Sequence, residues 1–334
     1  MPAVSAILAL DLNYIGDVLF TTPALAALRR GYPEAPITAV VGERALDVLA
    51  ANPDVTRVVK RPFTLAGRWR ALCDLRAEGC RLAISFSPRS AELAAWGVLA
   101  GCRQRWGFDA PEPRWFLNGR VREDAGRHCV DDYLELARAA GGASAGRNPR
   151  LYTTPEEDAW ARACRSELGL ASAAFVLGLH VGATYPEKCW RPERLVEFAR
   201  LAAENQGTRL VAFGGKGEEA AAEALAHAAP NCLSLAGRLT LRQFIALVKR
   251  CSAFVGGDSG PTHIAAALGV PTVALFGFTD PARTGVLGER VVTLRGMHGN
   301  ADPREQRVQT SPYQWLDPIR PADVLAAAHW VAGT

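Results

Sequence analysis

The sequence predicts an α/β protein built from two Rossmann-like domains. Short apolar runs alternate with segments of 3.6-residue periodicity along most of the chain, as parallel sheets with crossover helices require. The alternation is interrupted at residues 141–155, which are rich in Gly, Ser and Pro, and it restarts at Phe175. A chain of 334 residues is long enough for two domains with separate cores. We therefore expect one domain at residues 1–155 and a second at 156–320.

The first domain begins with a buried strand at residues 5–12, a loop, and an amphipathic helix from Val18 to Arg30. Gly31 ends that helix, and a second helix is expected over Ala45–Ala51. Four more apolar runs predict strands and complete an alternating α/β pattern. These runs are residues 37–42, 55–59, 81–86 and 103–108.

The second domain repeats this alternation and predicts a doubly wound sheet of five strands. A helix at residues 156–168 precedes the sheet. Beyond Arg283 the regular pattern fades, and Pro321 starts a last helix. The predicted strands are residues 175–182, 209–215, 232–237, 253–257 and 272–277, and the helices between them are residues 192–206, 217–228, 240–250 and 261–268.

The composition is that of a soluble globular protein, with 49% hydrophobic and 22% charged residues. The longest apolar run, residues 264–278, is shorter than the roughly 20 residues of a membrane span. The N-terminus lacks a basic lead and reads as a core strand, so a cytoplasmic protein is expected. The eight cysteines are dispersed, which favours reduced structural thiols over a zinc site or a disulfide framework.

Positive charge is concentrated in residues 57–122, which hold 13 Lys and Arg against 5 Asp and Glu. Tryptophans interleave with these arginines. One interpretation is an ordinary solvated face with snorkelling arginines. The other is a surface that docks an anionic acceptor or acidic lipid head groups, as a peripheral protein at a membrane face does. Nucleic acid is a weaker interpretation, because no recognised binding module accompanies the basic residues.

The stretch from Phe254 to Gly285 carries the strongest indication of a site. A strand breaks into two glycines and Asp258, and the next strand is followed by Thr279. Since ligands of open parallel sheets lie outside the carboxyl ends of strands, both residues are expected to face one crevice. A phosphate would be repelled by Asp258, so we interpret Asp258 as an acceptor for sugar hydroxyls. His263, in the first helical turn, is either a packing residue or a donor to the phosphate or sugar.

Two loops of the second domain offer further ligand-binding groups. Thr184 and Lys188 make a plausible diphosphate clamp, although a loop lysine is usually solvated. Glu218 lies just beyond a strand end, where an acidic side chain suits the two hydroxyls of a ribose. Acids also favour the first turns of helices, which is the simpler explanation of Glu218.

Asp17 follows the first strand in the loop 13–17. This loop contains only Gly16, so it lacks the glycine fingerprint of a dinucleotide-binding dehydrogenase. Asp17 has two interpretations that its position leaves open: a helix cap, or a general base at a strand end facing a cleft.

Together these motifs resemble glycosyltransferase family 9, the ADP-heptose:lipopolysaccharide heptosyltransferases. The family's first motif is matched by Ile15-Gly16-Asp17-Val18-Leu19 followed by Thr22-Pro23-Ala24-Leu25, and its second motif resembles Lys188-x-Trp190. The third and most specific is similar to Asp258-Ser259-Gly260-Pro261-Thr262-His263 and Gly277-x-Thr279-Asp280-Pro281. The three motifs stand in the family's order.

The resemblance implies a GT-B architecture, with two Rossmann-like domains facing each other across a cleft and a last helix, residues 321–332, packed on the first domain. It implies metal-independent inverting transfer from an ADP-activated heptose, a co-substrate, with no further cofactor. Asp17 is then the general base on the acceptor hydroxyl. The implied donor-binding residues are Thr184 and Lys188 at the diphosphate, Glu218 at the ribose, Leu239 beside the adenine, and Asp258, Ser259, Gly260, His263 and Thr279 around the sugar and phosphate.

The chain departs from the family pattern on the acceptor side. It has Asp11 where a basic residue is common, and Asn13 and Tyr14 where serines are common. With Arg61 and Arg105 of the basic segment, Asn13 and Tyr14 are the expected acceptor-side residues. The expected acceptor is a lipopolysaccharide-core-like or other glycan. Two alternatives stay open: a family member with another nucleotide sugar or acceptor, and a sugar-nucleotide-binding protein without turnover.

Overall fold

The computed structural model describes residues 4–11, 14–297 and 311–334. The chain divides into two compact units, Met1–Tyr152 and Thr153–Thr334. The division falls inside the Gly-, Ser- and Pro-rich stretch, a few residues before the boundary expected from the sequence. Asn13 lies outside the described residues.

The first unit contains a six-stranded sheet in which all strand pairs are parallel, in the order β3-β2-β1-β4-β5-β6. Its central strand β1 is buried along its whole length, as its apolar sequence predicts. The strands are β1 (Ile7–Leu10), β2 (Ile37–Val41), β3 (Arg57–Lys60), β4 (Leu82–Ser85), β5 (Gln104–Phe108) and β6 (Gly119–Val121), and the helices are α1 (Ile15–Gly31), α2 (Leu46–Leu49), α3 (Leu65–Ala77), α4 (Ala91–Leu99) and α5 (Cys129–Ala139).

Helix α1 accommodates Pro23 in its interior. A proline lacks the N–H that would bond the carbonyl four residues earlier, here that of Leu19. The Thr22 hydroxyl instead donates to the Leu19 carbonyl over 2.7 Å. In turn, the Arg150 backbone N–H donates to the Thr22 hydroxyl, which fastens the end of the first unit to α1. The Thr-Pro pair therefore keeps α1 continuous.

The second unit also contains a six-stranded parallel sheet, in the order β12-β11-β10-β7-β8-β9. If these strands are renumbered 1 to 6 from β7 and the sheet is read from β9 to β12, the order is 3-2-1-4-5-6, as in the first unit, which is the Rossmann arrangement. The predicted fold class is thus confirmed. The strands are β7 (Phe175–His180), β8 (Thr208–Phe213), β9 (Cys232–Ser234), β10 (Ala253–Gly257), β11 (Thr272–Phe276) and β12 (Val291–Arg295), and the helices are α6 (Pro155–Glu167), α7 (Pro192–Glu204), α8 (Glu219–Ala228), α9 (Leu241–Val248), α10 (Gly260–Ala267), α11 (Pro281–Thr284) and α12 (Pro321–Ala332).

The structure differs from the sequence-based expectation in two edge strands and in its last helix. Strands β6 and β12 were not predicted, because each lies at a sheet edge and lacks a fully buried apolar run. Helix α12 belongs to the second unit, in contrast to its assignment to the first. Its buried residues Val324, Ala328 and Val331 are part of the core formed with β7, β10 and β11, which explains the placement.

None of the helices within the described residues is long and apolar enough to cross a membrane.

Candidate active site

The candidate site lies at the carboxyl edge of the second sheet, where the strand order reverses. Strands β7 and β10 are neighbours there, and they end at His180 and Gly257. Because the helices that follow these two strands lie on opposite faces of such a sheet, a crevice opens between the strand ends. The loops carrying Lys188 and Asp258 begin at this point.

Asp258 is the centre of a polar cluster. It is 8% exposed, and three side chains from three separate segments approach its carboxylate. Lys188 Nζ donates to Oδ2 over 2.5 Å, and Thr279 Oγ1 donates to the same oxygen over 2.7 Å. His263 Nε2 lies 3.3 Å from Oδ1. The structure therefore brings together four residues that the sequence analysis assigned to one site.

The electrostatics of this cluster keep Asp258 ionised. Burial on its own would raise the pKa of the carboxyl group, but the hydrogen bond from His263 and the charge of Lys188 outweigh burial and hold the pKa well below its ordinary value. At neutral pH Asp258 is consequently ionised. It accepts hydrogen bonds but is a poor base.

Two glycines permit the close packing of these loops. A Cβ on Gly257 would lie 2.4 Å from the carbonyl oxygen of Lys188, which is backbone and cannot rotate away. A Cβ on Gly182 would lie 1.7 Å from Glu218 Oε1. A larger residue at Gly257 would push the backbone of the Lys188 loop away, and one at Gly182 would displace the Glu218 carboxylate.

A second polar chain, centred on His180, runs beside the Asp258 cluster. His180 Nδ1 lies 3.3 Å from Ser259 Oγ, and His180 Nε2 lies 3.4 Å from Glu218 Oε2. Ser259 Oγ also lies 3.3 Å from Thr262 Oγ1, which donates to the Gly257 carbonyl. Sequence reasoning missed this role of His180. The sequence did contain one indication of this role, because His180 is the last residue of a buried strand and such residues lie at the carboxyl edge of the sheet.

Glu218 is held in place by more than its helix. The Gly215 backbone N–H donates to Oε2 over 2.6 Å, and the His180 ring faces the same oxygen. Burial would raise the pKa of this carboxyl group, whereas the hydrogen bond and charge of His180 lower it, and the net shift is downward. The carboxylate is thus directed back towards the end of β7, which a solvated first-turn acid would not be.

The other three predicted donor-side residues are not members of the two networks described above. Thr184 is exposed in the loop after β7, and Gly260 is the first residue of α10. Leu239 is half-buried, next to Thr240, which caps α9 in a capping box with Gln243. Their roles remain predictions.

Asp17 lies in the first turn of α1 and is half-buried. The N-cap residue is Tyr14, 55% exposed, so Asp17 is the third helical residue and not the cap. An acid in a first turn is favoured by the helix dipole. Nearby, the buried carboxylate of Asp11 accepts a hydrogen bond from Thr21, one turn beyond Asp17, and ties the end of β1 to α1.

The two arginines expected on the acceptor side are both half-buried. The Arg105 guanidinium donates to the carbonyls of Phe116 over 2.7 Å and Cys102 over 2.8 Å, so it braces the segment between β5 and β6. Arg61 directly follows β3. Their contact with an acceptor remains a prediction.

The described residues contain no group of three or more His, Cys, Asp and Glu side chains placed to hold a metal ion. The chain holds two Rossmann-order sheets, and the second gathers a lysine, a histidine and a hydroxyl around a buried carboxylate at its carboxyl edge, where such sheets bind ligands. This arrangement fits the GT-B class of glycosyltransferases that the sequence motifs resemble.

Comparison with known proteins identifies the family. The model of glycosyltransferase family 9 (heptosyltransferase) matches residues 87–314, and the chain belongs to this family. The match includes the Lys188 and Asp258 motifs, whereas the segment with Asp17 precedes it.

Relatives extend the similarity over nearly the whole chain. Lipopolysaccharide heptosyltransferase 2 of Salmonella typhimurium is 29% identical, with 97% of each chain covered. The structure of the Escherichia coli ADP-heptose lipopolysaccharide heptosyltransferase II is similar at a TM-score of 0.81 and 25% identity, with 98% of each chain covered. A family 9 glycosyltransferase from Veillonella parvula shares the fold at a TM-score of 0.86 and 23% identity, over 99% of this chain and 98% of that one.

Proposed function

We propose that the protein is an inverting heptosyltransferase that transfers a heptose from ADP-heptose to a lipopolysaccharide-core-like acceptor. The observation that carries the proposal is the cluster of Lys188, His263 and Thr279 around Asp258 in a chain of the heptosyltransferase family. The donor is taken from the relative whose name specifies ADP-heptose.

The donor is proposed to bind at the carboxyl edge of the second sheet. Lys188 and Thr184 contact the diphosphate there, and the N-terminus of α10, which starts at Gly260, adds backbone N–H groups. Glu218 accepts the ribose hydroxyls and Leu239 lies against the adenine. Since the lysine and the helix terminus can neutralise the departing ADP, the reaction needs no further cofactor in this proposal.

Asp258 serves as an acceptor in this scheme. A carboxylate offers about four acceptor positions, and described side chains use three of them. The fourth, on Oδ1, is available to a hydroxyl of the sugar. Asp258 also holds the Lys188 ammonium beside the site before the donor arrives. Ser259 and His263 are proposed to complete the contacts to the sugar and phosphate.

Asp17 is proposed as the general base. The acceptor hydroxyl oxygen attacks the anomeric carbon while the bond from that carbon to the diphosphate oxygen breaks, and Asp17 takes the hydroxyl proton. Attack opposite the leaving group inverts the anomeric centre. The negative charge that develops on ADP is stabilised by Lys188.

A second candidate function differs from the first in the acceptor. Asp11 is buried and Tyr14 is exposed at the start of α1, where the family commonly has a basic residue and a serine. These differences favour a family 9 enzyme with a different glycan acceptor. We also propose that the acceptor is lipid-linked and reached at an acidic membrane surface.

Isothermal titration calorimetry with ADP and a panel of nucleotide sugars tests the donor, and transfer to delipidated core oligosaccharides tests the acceptor. Tight binding of ADP-heptose together with transfer supports the proposal. Selective binding of a sugar nucleotide with another base contradicts it. Binding of ADP-heptose without any transfer, over a panel of acceptors, would identify a sugar-nucleotide-binding protein.

A further inference from the structure

We propose that residues 61–76, here called the α3 surface, bind the head-group region of an acidic phospholipid bilayer. The α3 surface consists of Arg61–Thr64, which follow β3, and the first twelve residues of α3. It combines exposed large apolar side chains with arginines in one short, well-defined segment.

The apolar side chains are unusually exposed. Leu65 is 83% exposed, Trp69 is 71% exposed and Phe63 is 66% exposed. Leu75 is the only residue of α3 that is buried. Ala71 and Leu72 pack, half-buried, with Leu75 against the core of the first unit, which accounts for the inward side of α3 and leaves the exposed Leu65 and Trp69 to be explained.

The exposed residues form one stripe. Residues four apart share a helix face, which places Leu65, Trp69 and the exposed Cys73 in a row. Tryptophan and leucine on the outer face of a surface helix are typical of segments that lie in the plane of a membrane interface.

Local contacts hold this stripe in position. Thr64 caps α3 by accepting from the Gly67 backbone N–H over 3.2 Å, and Arg68 Nε donates to the Pro62 carbonyl over 3.3 Å. Arg68 also pairs with Glu92, next to the start of α4, over 3.3 Å. Phe63 and Leu65 are therefore presented by a fixed turn, at little entropic cost on binding.

The charge of the α3 surface selects the partner. It contains four arginines and one acid, Asp74. Among the described residues, Arg70 and Arg76 take part in no ion pair, and both are exposed on the helix. Apolar side chains next to unpaired arginines complement a bilayer with negative head groups better than a neutral bilayer or an apolar protein groove.

The α3 surface lies at a functionally suitable place on the first unit. Strands β1 and β3 are both parallel to β2, so the loops after them leave the same edge of the sheet. Asp17 follows β1, and Phe63 and Leu65 follow β3. A bilayer at this edge would offer a lipid-linked acceptor to Asp17. This last step rests on the proposed function, whereas binding to the bilayer does not.

Vesicle co-sedimentation of the full chain tests the inference. We expect binding to vesicles of equal parts phosphatidylcholine and phosphatidylglycerol, and little binding to phosphatidylcholine alone. Leu65→Ser/Trp69→Ser should weaken the partition coefficient by about tenfold or more, because two large apolar groups lose their burial. Arg70→Gln/Arg76→Gln should weaken it less, and added salt should weaken the wild-type protein.

Trp330→Ser is the matched control, since Trp330 is 75% exposed on α12, a helix without Lys or Arg. It should bind acidic vesicles like the wild type. The inference would be overturned if the wild-type protein did not bind acidic vesicles. It would also be overturned if Trp330→Ser and Leu65→Ser/Trp69→Ser lowered the partition coefficient equally. So would a change of oligomeric state in the double variant with vesicle binding intact, which would assign the face to a second copy of the chain. Transfer to a delipidated acceptor should be unchanged in these variants and separates this inference from the proposed function.

Discussion

The two sheets present their acidic residues in opposite ways. At the carboxyl edge of the second sheet, Asp258 is buried and both of its oxygens are engaged by Lys188, Thr279 and His263. At the carboxyl edge of the first sheet, Asp17 is half-buried in the first turn of a helix. Asp17 follows β1 and Asp258 follows β10, which occupy the two central positions, first and fourth in chain order, of a Rossmann-order sheet.

This difference fits the two different roles proposed for the aspartates. A carboxylate whose pKa is held low by a hydrogen bond from histidine and the charge of a lysine stays ionised and positions those two side chains, but it does not take a proton at neutral pH. Asp17 is proposed to take the proton of the acceptor hydroxyl from its place in the first turn of α1. In the proposed mechanism Asp258 therefore binds and Asp17 transfers the proton, and the following substitutions test these two proposed roles.

The largest effect is expected from Asp17→Asn. Removing a general base lowers the rate of transfer by about 10²–10⁴-fold, because the acceptor hydroxyl keeps its proton during attack. The affinity for ADP should stay at the wild-type value, since the proposed donor site lies in the second unit. Initial rates and calorimetry on the same preparation measure both quantities. A variant with full transfer activity would remove Asp17 from the mechanism.

Lys188→Met should affect both stability and activity. It leaves the buried Asp258 carboxylate without its cation, a change that costs on the order of 3–5 kcal/mol of unfolding free energy for buried pairs. Transfer should fall by about 10²–10³-fold, as expected when a group that stabilises developing charge is lost. The double variant Lys188→Met/Asp258→Asn should regain part of the stability but none of the activity. Urea unfolding and initial rates separate the two effects.

An unaltered unfolding free energy in Lys188→Met would show that the contact with Asp258 contributes little. Arg194→Met is a suitable control, because Arg194 forms an exposed ion pair with Glu197 on α7. Such a pair is worth about 0–1 kcal/mol.

Much of the fold and part of the site were predictable from the sequence. Buried apolar runs such as Phe175–His180 signal strands directly, and the glycine-rich break after β10 signals a strand end at Asp258. Lys188 and Asp258, 70 residues apart, were expected together only as donor-binding residues of the family that the motifs resemble, and their direct contact was not predicted. It depends on the adjacency of β7 and β10, which topology determines and local pattern does not.

Other features could not be predicted for physical reasons. Edge strand β12 is half-exposed and lacks a continuous apolar run, so its pattern fades into that of a loop. The contact of His180 with both Glu218 and Ser259 depends on the direction of a ring at a strand end, and spacing along the chain carries no information about it.

Gly182→Ala tests how strictly the second-unit site is packed. The added Cβ would lie 1.7 Å from Glu218 Oε1, so the carboxylate must leave its bonds to Gly215 and His180. If Glu218 binds the ribose, losing that contact costs about 1.5–3 kcal/mol of donor affinity, a loss of roughly tenfold or more. Gly207→Ala, where the Cβ would lie 3.3 Å from that of Ala174, is a control at the other end of the sheet. Calorimetry measures the ADP affinity of both variants. An ADP affinity of Gly182→Ala equal to that of Gly207→Ala would mean that Glu218 does not contact the donor.

The smallest effect, and the most direct test of the comparison, concerns acid stability. The folded-state pKa of Asp258 lies below its unfolded value, so the folded protein binds fewer protons at this site than the unfolded chain. The stabilisation is therefore complete above the ordinary aspartate pKa of about 4 and is lost as the pH falls below it towards the lowered value. Urea unfolding of the wild type and of Asp258→Asn between pH 5 and pH 3 isolates this contribution, because the other carboxylates are common to both proteins. The stability difference between the two should shrink as the pH falls. A difference that stays constant over this range would mean that the Asp258 carboxylate is not held by its neighbours, and the distinction drawn between the two aspartates would lose its basis.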